Sequence, residues 1–103
     1  MRRGTTPTVA MSCDVDLTGW NVYLTFAQEW HVLTVTDVHV TPVQEDGKVV
    51  GCVVSAVLSQ DDTLGFRAGD MQVQVRACKD GMAIASQIVR ADVKDVIFEE
   101  VIG

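Results

Sequence analysis

The chain has 103 residues, enough for one compact domain and too few for two. With 48% apolar and 21% charged residues it is not disordered as a whole, and no apolar stretch approaches the roughly 20 residues of a membrane-spanning helix. A net charge of −6, from 8 Lys plus Arg against 14 Asp plus Glu, disfavours a nucleic-acid partner bound by phosphate neutralisation.

Nineteen valines stand against five leucines, with nine threonines. Branched side chains lose rotamer freedom in helices and pack well on a pleated surface, so the chain is expected to be mostly β. Met1 to Thr8 carries positive charge with no apolar run behind it, which fits neither a secretory nor a twin-arginine signal. Residues 1–6 are expected to be flexible. Thr8 to Cys13 reads as a first strand and Asp14 to Gly19 as a polar corner.

From Trp20 to Phe26 every even position is large and apolar, the signature of a strand with one dry face. Between Leu33 and Val40 the apolar parity changes from odd to even. A one-residue slip would turn every side chain to the wrong face, so a bulge or corner near Asp37 is required. Pro42 cannot donate to a ladder and places its strand at an edge. Glu45-Asp46-Gly47-Lys48 is a hairpin turn leading into Val49–Leu58, read as a central strand covered on both faces. Gly51 within it marks a bulge or a close backbone approach.

Residues 59–64 form the one expected helical turn, with Ser59 and Asp62 as its capping pair and Gly65 as a left-handed terminator. Met71, Val73, Val75 and Ala77 alternate with polar residues in the next strand. Asp80-Gly81 then turns the chain, so that the run Met82–Val93 lies antiparallel on that strand. The expected fold is a single all-β domain over residues 1–103, an antiparallel sandwich of about seven strands.

Arg3-Gly4-Thr5-Thr6-Pro7-Thr8, Asp16-Leu17-Thr18-Gly19-Trp20, Val22-Tyr23-Leu24-Thr25-Phe26, Leu58 through Phe66, Val73-Gln74-Val75-Arg76 and Lys79-Asp80-Gly81 follow one another in this order. The combination resembles small tail-associated proteins of phages and prophages of Gram-positive bacteria. It is also similar to the immunoglobulin-like N-terminal domain of the phage baseplate upper protein. The resemblance implies an immunoglobulin-like sandwich in a virion tail, baseplate or neck, without catalytic residues. Its partners would be other tail or baseplate proteins, or further copies of the chain, and neither nucleic acid nor membrane. Its location would be the bacterial cytoplasm during assembly and then the virion. Baseplate upper proteins continue into a region that carries receptor-binding subunits. The resemblance here is to the N-terminal domain and not to the region that follows it.

The chemistry-bearing residues support the same non-enzymatic expectation. Cys13, Cys52 and Cys78 make no C-x-x-C pair, and all three are expected as free thiols, with Cys52 a small buried hydrophobe. His31 and His39 lack a nucleophile elbow or Gly-rich oxyanion loop, and with Asp37 they fall short of a recognisable metal site. Asp14, Asp16, Asp61 and Asp62 do not make a calcium loop, and no glycine pattern cradles phosphate. No cofactor or metal is expected. Val96, Ile97, Phe98, Val101 and Ile102 make an apolar terminus, either docked on the domain's own core or added to a neighbouring subunit's sheet or groove. Trp30 beside His31 is a second contact candidate. The alternative function is a small carbohydrate- or surface-binding module in which Trp20, Tyr23 or Trp30 stacks on a ligand. A hydrolase using His31 or His39 is the third reading.

Overall fold

The alternation at residues 20–26 and 71–77 is realised as two adjacent strands whose dry faces form the floor of the core. The computed structural model describes residues 1–86 and 88–103. It contains β1 (Thr8–Cys13), β2 (Asn21–Gln28), β3 (His31–Val35), β4 (His39–Glu45), β5 (Lys48–Val57), α1 (Gln60–Leu64), β6 (Gly69–Lys79), β7 (Met82–Ala85) and β8 (Val89–Val93). One sheet has the order β1-β5-β4. The other runs β3-β2-β6, with β7 and β8 both on the far side of β6. All of these strand pairs are antiparallel.

The two sheets bury their facing residues in one core. Val22, Leu24, Phe26, Met71, Val73, Val75, Ala77 and Val93 come from one sheet, and Cys52, Val54 and Ala56 from the other. Leu17, Leu58 and Phe66 close it from the connections. The chain is thus an all-β sandwich with one short helix.

The turns obey their sequence chemistry. Asp46 and Asp80 take φ of 51°, and the glycines that follow also have positive φ, which matches the twist of the flanking strands. The parity change at residues 33–40 is a corner, because β3 belongs to one sheet and β4 to the other. β4 is an edge strand, as Pro42 requires. Gly51 satisfies both expectations placed on it. The register steps from Val43↔Gly51 to Gln44↔Val49, leaving Val50 as the extra residue of a bulge. A Cβ on Gly51 would lie 2.2 Å from the Cys13 carbonyl oxygen.

Three expectations are corrected. β5 is central in its sheet but covered on one face only, since Val49 and Val57 are exposed on the other. Its apolar odd positions come from β propensity, not from a second covering layer. Gly65 is right-handed (φ −66°, ψ −20°). What it needs is space: a Cβ there would lie 2.8 Å from His31 Nε2. The run 82–93 holds two strands, β7 and β8, which makes eight strands among the described residues. β7 pairs with residues 76–79 and β8 with residues 69–73 of β6. Ser86 keeps contact between them, its amide donating to the Val75 carbonyl at 2.8 Å. Gln87, inside that run, lies outside the described residues.

Candidate functional site

The C-terminal segment is held by a platform built from the opening residues and α1. Ser59 caps the helix: its Oγ accepts from the Asp62 amide, and Asp62 Oδ2 accepts from the Ser59 amide, both at 3.0 Å. Buried Thr63 donates its hydroxyl to the Thr5 carbonyl at 2.9 Å, which ties the opening residues to the helix. Residues 1–3, for which flexibility is expected, run parallel to the end of β8. The Arg3 amide donates to Lys94 O (2.9 Å), and the Lys94 amide donates to Met1 O (2.7 Å).

This arrangement places the Arg3 side chain, only 12% exposed, under the tail. Its guanidinium donates to Leu64 O at 3.0 Å, to Asp95 Oδ1 at 2.7 Å and to Glu99 Oε1. Val96 rests near Gly4 and Leu64, since its Cγ1 lies 3.6 Å from where a Gly4 Cβ would be. Further along, the Gln60 side-chain amide grips the Ile102 backbone at two points: Nε2 donates to its carbonyl and Oε1 accepts from its amide, both at 2.7 Å.

The tail is thus anchored by its polar groups and by Val96, while its larger apolar side chains face outward. Ile97 is 102% exposed, and Phe98, Val101 and Ile102 are each close to 60%. Magnitudes rank the two halves of this arrangement. Solvent-exposed ion pairs contribute about 0–1 kcal/mol each. Burying a Phe, Ile or Val side chain contributes about 2 kcal/mol. A partner that covers these four side chains therefore outweighs the tethers that hold the segment in place. No protein-family model and no curated protein matches this sequence.

Asp95 reports on the tether. The hydrogen bond from Arg3, then that from the Val96 amide, hold its carboxyl below the ordinary value near 4. A folded pKa below the unfolded one means that the contact is fully present above about pH 4 and is lost as pH falls through the depressed value. The Val96 amide donates to the same oxygen at 2.8 Å. Its NMR shift is expected to titrate with a pKa below that of a free aspartate, and in Arg3→Met to titrate higher. An unmoved pKa in the variant contradicts the tether.

Trp30 and His31 diverge. Trp30, in the two-residue turn between β2 and β3, is 60% exposed, with the Arg67 guanidinium 4.7 Å from its ring centroid. Gln28 fixes Arg67 there: its Nε2 donates to Arg67 O (2.7 Å) and its Oε1 accepts from the Arg67 amide (2.8 Å). His31 turns inward and meets Phe66 edge-on at 4.7 Å, which leaves it half-buried. An exposed cation–π pair contributes about 0.5–1 kcal/mol, so Trp30→Ala is expected to lower stability by less than about 1 kcal/mol in a urea titration. A larger loss would make Trp30 part of the core.

The remaining polar candidates do not converge. His31 lies on β3 and His39 on β4, in different sheets, and among the described residues no three His, Cys, Asp or Glu side chains are placed to share a metal. Asp16 accepts from the Thr18 amide and hydroxyl, an Asx turn within the corner. Trp20 packs against the core, and Tyr23 is half-buried beside Arg76 and Cys78. Arg3, Gln60 and Arg67 were not legible as site residues. Arg3 pairs with residues 92 and 96 positions away, Gln60 with one 42 away and Arg67 with one 37 away, and no local pattern connects such distances.

Proposed function

We propose that this domain is a non-enzymatic structural or assembly protein of a phage or prophage tail, baseplate or neck, and that it acts through protein–protein contacts. The observation that carries the contact role is the outward-facing Ile97, Phe98, Val101 and Ile102 on a segment held mainly by polar tethers. Contiguous exposed apolar side chains are what interaction surfaces present. The edges of both sheets offer further unpaired backbone to a neighbour. The acidic surface limits non-specific association. The assignment to a tail assembly rests on the resemblance in residue order described above. Under this reading the protein assembles in the bacterial cytoplasm and ends in the virion.

Size-exclusion chromatography with light scattering, run alone and with candidate tail and baseplate proteins, tests the proposal. A ring or a hetero-complex of defined stoichiometry is expected. A strict monomer with every candidate counts against it.

A further inference from the structure

In the sequence Cys13 and Cys52 are 39 positions apart; in the fold they are direct partners, the last pair in the β1/β5 register. Directly opposed residues of an antiparallel pair have α-carbons about 4.5–5.5 Å apart. A disulfide accepts about 4.4–6.8 Å, so this pair can be bridged without moving either strand. Both thiols are free in the structure. Cys52 is buried and donates to the Val15 carbonyl at 3.2 Å, while Cys13 is half-buried. Cys13 also lines a cleft of about 330 Å³ between β1, the 14–17 corner and β7, which gives a small reagent a route to its sulfur.

We propose that Cys13 and Cys52 are a redox-active dithiol that a low-molecular-weight disulfide converts into a cross-strand disulfide, stapling β1 to β5 at the mouth of the cleft. In the first step the Cys13 thiolate attacks one sulfur of the reagent R–S–S–R. A Cys13–SR bond forms, and the reagent's S–S bond breaks to release one thiol, which carries the proton Cys13 lost. Cys52 sulfur then attacks Cys13 sulfur, forming the intramolecular bond and releasing the second thiol with the Cys52 proton. Two electrons pass from the protein dithiol to the reagent. Burial, then the neighbouring Cys52 and Asp14, push the Cys13 thiol above its ordinary pKa, so little thiolate is present near neutrality and the exchange is slow.

Oxidation also removes the Cys52 S–H that holds the Val15 carbonyl. The dithiol therefore links the redox state of the surroundings to the corner that forms one wall of the cleft. Cys78 takes no part. It follows the buried Ala77 along β6 and so points to the outer face of the opposite sheet. It serves as an internal reference.

The test is incubation of the native protein with oxidised glutathione at mildly alkaline pH, followed by alkylation and peptide mapping. The expected result is a Cys13–Cys52 linkage with Cys78 alkylated. In a Cys78→Ser background the oxidised form is expected to melt on the order of 10 °C higher than the reduced form, reversibly with dithiothreitol. Adding Cys13→Ser is expected to abolish that rise. Recovery of Cys13 and Cys52 both alkylated, with disulfides only between molecules through Cys78, would overturn the proposal.

Discussion

Gly51→Ala is expected to destabilise the domain by about 3 kcal/mol, the upper end of ordinary overpacking effects. The added carbon would sit 2.2 Å from the Cys13 carbonyl oxygen and 3.4 Å from the Asp14 α-carbon. Those are backbone atoms, so no rotamer change relieves the collision. Relief requires parting β1 from β5 or undoing the bulge at Val50. Either movement disturbs Cys52 and Val54 beneath, both fully buried. For a domain of this length the melting temperature should fall on the order of 15 °C. By contrast Gly47→Ala meets no atom within 4 Å and bears only the strain of positive φ, so it should lower the melting temperature far less. Equal effects at the two glycines would show that the close approach is not what fixes Gly51.

Phe66→Ala is expected to be at least as severe, at about 4 kcal/mol. Phe66 is fully buried, although it lies in the connection between α1 and β6 and not in a strand. Its ring meets Phe26 edge-on with centroids 6.4 Å apart and carries the edge of His31 on another side. Truncation opens a cavity beneath the helix and deprives His31 of its packing surface. Because α1 is part of the tail's platform, the loss should spread to the Ile102 contact through Gln60. The urea midpoint should fall with little change in slope. Phe66→Leu, which refills most of the volume, should recover more than half of the difference. A midpoint shift below about 1 kcal/mol in the alanine variant would place Phe66 outside the core.

What could be read from the residues was what depends on neighbours in sequence. Alternation located β2 and β6, because side chains in an extended chain point to opposite faces. Asp-Gly pairs located two turns through positive φ, and Ser59 with Asp62 located the helix start through the capping box. Pro42 announced its edge through the missing donor. The rest depends on topology. Whether the outer face of β5 is covered is decided by what packs above it, and apolar odd positions look the same in either case. The left-handed end expected at Gly65 gave way to a clearance for His31, a residue from a different hairpin.

Legibility of the candidate site follows the same division. The apolar character of residues 96–102 is visible in the sequence, and so is the choice between docking and donation. The platform is not, because Arg3 and Glu99 meet only after the first and last residues are brought together beside β8. Trp30 and His31 are adjacent in sequence, yet the turn between β2 and β3 sends one outward under Arg67 and the other onto Phe66. Cys13 and Cys52 became a pair only when β1 was seen to lie against β5.

The central claim is that the sandwich folds without its terminal segment and uses that segment to associate. The most direct measurement compares the full chain with a variant lacking residues 96–103, taking a thermal melt and light scattering on the same samples. The account predicts a β-type spectrum and a cooperative melt within a few degrees of the full chain, together with loss of self-association or of partner binding. A truncated chain that fails to fold, or that associates as strongly as before, contradicts it.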